Sequence, residues 1–340
     1  MSPGRNHGQN GDLATPPQYV LLTGATGFVG SHAAEAFVRH GFRVRALVRS
    51  PARAAALEPL DVELVHGSLE DPAALAAASA GVDAIVHLAA LTHALSADAY
   101  ERANVAGTRR LLEAGLGAGV QRFVYLSSLA ACGPSIGGRA VSAADPPSPL
   151  TQYGRSKLAA ERVVLEAADR LDVTILRAPA VYGPRDTDLY HFFRLARLGV
   201  VPVPTGPARR LQMVHAADLA RALVHATRAP SAAGVYHIAE PRSYTWEEVG
   251  RMVGEAVGRD VRIVRVPAAL IGGLAAASEA AARVVGRSSI FNRDKARELL
   301  APGWLCETEA ARAALNYEAD IPLAEGLRAT AQWYREQGWL

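Results

Sequence analysis

Between a short β-rich run, Tyr19 to Thr23, and an amphipathic stretch, Val29 to His40, the chain places three glycines, Gly24, Gly27 and Gly30. This order of strand, glycine turn and helix limits the possible folds more than any other feature. Each glycine meets a separate steric demand: the first permits a tight turn, the second lets backbone approach an anion, and the third lets helix pack on strand. The N-terminus of the helix, with its unpaired N–H groups, then faces the anion. Gly41 ends the helix and a second β-rich run, Arg43 to Val48, follows it, as expected of a strand–helix–strand crossover. The spacing Gly-x-x-Gly-x-x-Gly departs from the usual dinucleotide fingerprint, so the flanking elements carry the reading as much as the glycines do.

The pattern continues. Runs near 19–23, 43–48, 62–66, 83–88, 122–127 and 173–177 alternate with helical segments, which predicts the α/β class and a Rossmann-type, doubly wound parallel sheet covered on both faces. From Ala178 to Gln212 the chain turns rich in Pro, Gly and apolar residues; it rejoins the pattern for Met213 to Ala239 and leaves it again. The expected organisation is a dinucleotide-binding domain of residues 19–177 and 213–239, with a smaller, discontinuous substrate-binding domain of residues 178–212 and 240–340. Residues 1–18, rich in Gly, Pro, Asn and Gln, read as a flexible tail. A substrate is expected in the cleft between the two domains.

Downstream lies Tyr153-Gly-Arg-Ser-Lys157. On a helix, residues four apart share a face, so the Lys157 ammonium is expected beside the Tyr153 phenol. An ordinary tyrosine, with a pKa of about 10, is a poor base at neutral pH; a neighbouring cation lowers that value and suits the phenol to proton exchange with an alcohol or carbonyl. With the glycine loop upstream, the pair points to nicotinamide redox chemistry. Past the second strand, Arg49 stands where an acidic residue would hold the ribose hydroxyl of NAD. Arginine there accommodates the 2′-phosphate of NADP, with Ser50 and Arg53 as helpers. NADP is the expected cofactor and NAD the alternative.

These segments, with Val86-His87-Leu88-Ala89-Ala90, Asn104-Val105-Ala106-Gly107-Thr108, Val124-Tyr125-Leu126-Ser127-Ser128, Arg177-Ala178-Pro179-Ala180-Val181-Tyr182-Gly183-Pro184 and Val214-His215-Ala216-Ala217-Asp218, make the chain resemble the extended short-chain dehydrogenase/reductase superfamily. The branch is the NAD-dependent epimerase/dehydratase family, closest in character to its 3β-hydroxysteroid-dehydrogenase-like and flavonoid-reductase-like members. The resemblance implies a catalytic hydroxyl at Ser128, with Ser127 its nearest rival, beside Tyr153 and Lys157, and a supporting role for Asn104. It implies cofactor contacts from Gly24, Thr26, Gly27, Phe28, Val29 and Gly30 in the loop, from Leu88, Ala89 and Ala90 near the nicotinamide ribose, and from Pro179 and Val181 beside the nicotinamide ring. Lys157 would also bind ribose hydroxyls. In His66-Gly67-Ser68-Leu69 the chain departs from the family: Ser68 occupies a position where an acidic adenine contact is common, and Leu69 follows it.

Composition narrows the function classes. A net charge of +3, with no basic run interleaved with aromatics, argues against nucleic acid as a partner. Two cysteines, Cys132 and Cys306, do not make a disulfide framework and suit a reducing, cytoplasmic setting; Cys132 reads as a small hydrophobe. No basic-then-apolar leader is seen and no metal is expected. The apolar run Ala268 to Ala277 is far short of the ~20 residues of a membrane span, and reads as a packed helix of the substrate domain rather than a peripheral membrane contact. A small molecule is the expected partner, and a homodimer the assembly allowed for.

Two reaction classes compete for that small molecule. One is hydride exchange with a secondary alcohol or ketone; the other is nucleotide-sugar epimerisation or dehydration on tightly bound NAD. A third role, cofactor-binding sensor or scaffold, is opposed by the complete set of Ser128, Tyr153 and Lys157. Sugar-nucleotide members carry Arg-x-Phe, a diphosphate contact, where this chain has Leu211-Gln212-Met213, although Arg209 and Arg210 immediately precede it. Leu189, Tyr190, Phe192, Phe193, Leu195 and Leu198, with Ala268 to Leu274, suggest an apolar ligand or simply a packed core.

Overall fold

Strands whose residues point alternately to two covered faces must be apolar on both, and the central strands are. In the computed structural model, which describes residues 18–50, 52, 54–229, 232–284, 289 and 291–340, Val20 and Leu22 of β1 (Tyr19–Thr23) pack into one core and Leu21 into the other. The first core holds Phe37 of helix α1 (Phe28–Arg39) and Leu219 and Leu223 of the helix Ala216–Arg228. The second holds Leu111 and Leu112, with Val163 and Val164 of the helix Gln152–Leu165. The expected tail lies outside the described residues up to residue 17, as does Arg53.

With β2 (Arg43–Val48), β3 (Val62–His66), β4 (Ala84–His87), β5 (Arg122–Ser128) and β6 (Asp172–Ala178), β1 belongs to a seven-stranded sheet. The strand order is Gly234–His237, β6, β5, β4, β1, β2, β3, and every pairing is parallel. β1 lies between β4 and β2, so the chain winds outward from it in both directions. The carboxyl ends of β1 and β4 therefore flank the switch point where such sheets bind ligands.

Beyond β6 the chain builds smaller sheets above that edge. Ala180–Tyr182 pairs with Met213–His215, and Val200–Pro204 with Arg262–Val266. A third core joins Tyr182, Phe193, Val201, Met213, Val249, Val253, Leu327 and Tyr334. Phe193 is fully buried there, with Leu189, Tyr190 and Phe192 packed around it, so these side chains are core. Leu195 and Leu198 are exposed.

The run beginning at Ala268 departs from expectation. It forms a helix, Ala268–Val284, that buries only Ile271 and Ala275. Alanine and glycine give this helix a narrow packing stripe, which meets Ala296 of the helix Arg293–Leu300. Leu270 and Leu274 remain about half exposed, at 52% and 53%. Hydropathy marked the helix but not which of its faces has a partner.

Candidate active site

The glycine loop is closed by contacts that only glycine allows. Gly24 takes φ +75°, and a Cβ there would lie 2.7 Å from the Ala89 nitrogen; at Gly30 it would lie 1.9 Å from the Gly24 carbonyl oxygen. Gly27 donates to that same oxygen at 2.9 Å and is the N-cap of α1, with no side chain bonded to the helix end. Thr26, Phe28 and Val29 are half buried around the turn. The backbone N–H groups at the start of α1, which no side chain caps, suit a pyrophosphate. Arg49 is exposed just past β2, and its carbonyl bonds the His66 ring at 3.0 Å. Ser68 accepts from the Glu70 nitrogen at 3.2 Å, while the Leu69 carbonyl accepts from Arg110 at 2.6 Å, so that turn is pinned by its own contacts.

Sequence reading overlooked a buried polar chain beneath the loop. The Ala89 N–H donates to Thr23 Oγ1 (3.3 Å), which meets His87 Nδ1 at 2.6 Å; His87 Nε2 meets Thr108 Oγ1 at 2.9 Å, and Thr108 donates to the Asn104 carbonyl at 2.6 Å. Because Thr108 spends its proton on that carbonyl, it must accept from His87, which fixes the proton on Nε2 and leaves Nδ1 to accept from Thr23. The imidazole is neutral: burial, then the Lys157 charge, push its pKa down to about 3. The pairing of Val86-His87-Leu88 with Asn104-x-x-x-Thr108 was visible in the sequence; their contact was not.

Asn104 sits in a π-helical turn, Glu101–Ala106. Its amide accepts from the Leu91 nitrogen (2.7 Å) and donates to the Leu91 carbonyl (3.0 Å) and to Ser156 Oγ (2.9 Å). It thus clamps the segment after Leu88, Ala89 and Ala90 to the helix that carries Tyr153.

Tyr153 lies in the first turn of Gln152–Leu165, capped by Thr151, whose hydroxyl accepts from the Gly154 nitrogen at 3.1 Å. A Cβ at Gly154 would lie 2.3 Å from the Ala130 carbonyl oxygen, so only glycine lets the helix close onto the turn after Ser128. Ser128 Oγ accepts from the Ala130 nitrogen at 3.1 Å and lies near the phenol. Ser127 points to the opposite side of β5, where it donates to Glu161; that carboxylate is bound by Arg177 at 2.6 and 2.9 Å. Ser127 is therefore committed to a buried ion pair, and Ser128 is the serine on the Tyr153 side.

One expectation fails in this structure. The Lys157 ammonium donates to the Leu126 carbonyl at 2.7 Å and lies 4.1 Å over the Tyr125 ring, and burial brings its pKa down to about 7, opposed by Glu161. Burial, then Glu298, pushes the Tyr153 phenol well above its ordinary range, with the Ser128 hydroxyl opposing them. A strand carbonyl takes the ammonium, and desolvation dominates at the phenol.

Pro179 and Val181 are half buried past the end of β6, Val181 paired with Val214. Cys132 is buried, its sulfur 3.4 Å from His237 Nε2, and burial pushes its pKa up to about 11, which suits an unreactive thiol. At the position that separates substrate classes, Gln212 donates to the Glu240 and Pro241 carbonyls and accepts from the Cys306 nitrogen at 2.7 Å. Arg209 bonds the Thr205, Pro207 and Leu300 carbonyls, and Arg210 bonds Ser243. Among the described residues no group of three or more His, Cys, Asp or Glu side chains could hold a metal ion.

Comparison with known proteins places the chain in a family. Over 324 residues the chain is 36% identical to the ceramide reductase of Caulobacter vibrioides, covering 94% of this chain and 96% of that one. It is 33% identical to the 3β-hydroxysteroid dehydrogenase/Δ5→4-isomerase of Mycobacterium tuberculosis over 73% of this chain and 71% of that one. Among solved structures it is similar to DesIV, a dTDP-glucose 4,6-dehydratase from Streptomyces venezuelae with NAD bound, at TM-score 0.76 and 26% identity, covering 94% and 98% of the two chains. The family model described as "NAD dependent epimerase/dehydratase family" matches residues 20–239, and the chain belongs to that family of nicotinamide-dependent enzymes, within the extended short-chain dehydrogenases/reductases.

Proposed function

We propose that the protein is an NADP-linked oxidoreductase acting on a secondary alcohol or ketone of a bulky apolar substrate, through Ser128, Tyr153 and Lys157. The observation that carries this reading is the disposition of Arg209, Arg210 and Gln212. A sugar diphosphate needs fixed cations free to meet its phosphates, and here both guanidiniums are engaged by carbonyls or Ser243 while Gln212 locks two backbone segments together. The names of two relatives, a ceramide reductase and a hydroxysteroid dehydrogenase, support an apolar substrate.

The glycine turn would hold the pyrophosphate, Arg49 the 2′-phosphate, Lys157 the ribose hydroxyls, and Ala89, Ala90, Pro179 and Val181 would border the nicotinamide. Bound there, the nicotinamide supplies or takes up the hydride. The protein's part is proton and oxygen management: Ser128 holds the substrate oxygen, and Tyr153 gives or removes its proton. The burial that raises the Tyr153 pKa favours the protonated phenol, which suits donation to a carbonyl. Asn104 and His87 keep the loop beneath the cofactor in register. The cleft between residues 19–177 with 213–239 and residues 178–212 with 240–340 would take the substrate.

The likeness to DesIV favours the second reading, a nucleotide-sugar enzyme on tightly bound NAD. A screen of apolar alcohols and ketones with added NADP(H), run beside UDP- and dTDP-sugars, separates the two. Turnover in the first panel alone is expected. Conversion of a sugar nucleotide, with NAD released on denaturing the purified protein and no activity on any apolar ketone, would overturn the proposal.

A further inference from the structure

Twelve large apolar side chains are well exposed among the described residues, and seven of them, Leu195, Leu198, Val200, Val264, Leu270, Leu274 and Val284, fall within two stretches, 190–204 and 262–300. These stretches are neighbours in space. Val200–Pro204 pairs with Arg262–Val266 in the register Val200 to Arg262, Pro202 to Val264 and Pro204 to Val266. Side chains alternate along a strand, and Val201, Val203 and Ile263 face the lobe's core. Val200, Pro202, Pro204, Val264 and Val266 therefore form the outer face of this ribbon. Val266 packs against Ile271 and Ala275, so the outer face continues onto the helix Ala268–Val284, whose Leu270 and Leu274, four apart, lie on one side.

The same stretches are strongly basic. Of the chain's 36 Lys and Arg and 33 Asp and Glu, they hold nine of the former and three of the latter, so the rest of the chain is net acidic. All three acids, Glu279, Asp294 and Glu298, are paired with bases of the same stretch, Arg283, Arg297 and Lys295. An exposed apolar surface bordered by surplus cations fits one occupant better than a protein core, namely the surface of an anionic lipid bilayer, where apolar side chains enter the acyl boundary and each base adds attraction. We infer that this face, which carries Leu270 and Leu274 on the helix and Arg262 beside Val200 on the ribbon, docks the protein peripherally on anionic membranes.

The position suits the chemistry nearby. Asp294 accepts from the Gln152 nitrogen at 2.8 Å and Glu298 from the Thr151 hydroxyl, so the docking element rests on the end of the helix that carries Tyr153. Binding itself needs neither cofactor nor substrate, and its test is independent of the proposed reaction.

The test is flotation of the full chain with phosphatidylglycerol/phosphatidylcholine vesicles and with phosphatidylcholine alone. Binding to the anionic vesicles, weakened by salt, is expected. L270E/L274E should abolish it, and R262E should weaken it roughly tenfold, with circular dichroism and thermal unfolding unchanged in both. No binding by the unmutated protein, or unaltered binding by both variants, would refute the inference. So would self-association in sedimentation velocity that L270E/L274E abolishes without any vesicle binding, since the face would then belong to a second copy.

Discussion

The glycine turn after β1 and the outer helix Ala268–Val284 are both rich in glycine and alanine, yet they use those residues in opposite ways. In the turn, Gly24 and Gly30 exist because other backbone stands where a Cβ would be, whereas Gly272 and Gly273 of the outer helix have nothing within 4 Å of theirs. At one site small residues admit neighbours; at the other they leave a face with none. The polar groups differ likewise. Thr23, His87, Thr108 and Asn104 form one saturated, buried chain, while the outer helix offers Leu270 and Leu274 to solvent. Small residues thus mean precision only where something is packed against them.

The contrast is testable, beginning with the largest effect. Tyr153→Phe keeps the ring and removes the exchangeable proton, so turnover on any substrate found by screening should fall by about 10²–10⁴ with NADPH affinity retained. Near-normal turnover would remove Tyr153 from the proposed chemistry.

Gly30→Ala should cost about 3 kcal/mol or more, because the added methyl meets backbone that has little room to move. Gly272→Ala should instead stabilise by up to about 1 kcal/mol through helix propensity. Urea titrations of the two variants measure the difference directly, and equal shifts would erase the comparison.

Arg49→Asp should reverse the order of NADPH and NADH affinity in fluorescence titration. Loss of one charge-assisted contact is worth roughly 1.5–3 kcal/mol, a little over tenfold at the lower end. Unchanged preference would leave Arg49 as a surface residue.

A further effect concerns Lys157, whose pKa in the folded state is about 7 against an ordinary 10.5. Between those values the unfolded chain binds more protons than the folded one, so stability rises with pH across that window. Below pH 7 the penalty for the buried charge is present in full, and above 10.5 it is gone. The slope contributed by this one group is at most about 1.4 kcal/mol per pH unit, and Lys157→Met should remove it from the pH dependence of denaturant midpoints in cofactor-free protein.

Much of this could be read without coordinates. Glycines between a β-rich run and an amphipathic helix leave few alternatives, and β1, α1 and β2 appear within a residue or so of the expected bounds. Tyr153 and Lys157 stood out in the sequence because a helix puts residues four apart on one face, and Ser128 because its position resembles that of the family's hydroxyl; their roles are part of the proposal. Other features had no local signal. Ser127 and Ser128 are equivalent in sequence, and only the direction of β5 sends one to Glu161 and the other to the Tyr153 side. The tautomer of His87 depends on a threonine from β1 and another from a separate helix turn, and its neutral state on burial and on Lys157.

The order of strands and helices and the glycine turn after β1 were determined by the sequence itself, because backbone sterics and hydrophobic periodicity act over a few residues. The tertiary structure alone decided where charge rests and which surfaces are covered. Lys157 turns to the Leu126 carbonyl, Arg209 and Arg210 turn to carbonyls and Ser243, and Leu270 faces outward. Desolvation and hydrogen-bond partners are set by atoms far away along the chain, and no local pattern encodes which of them arrive.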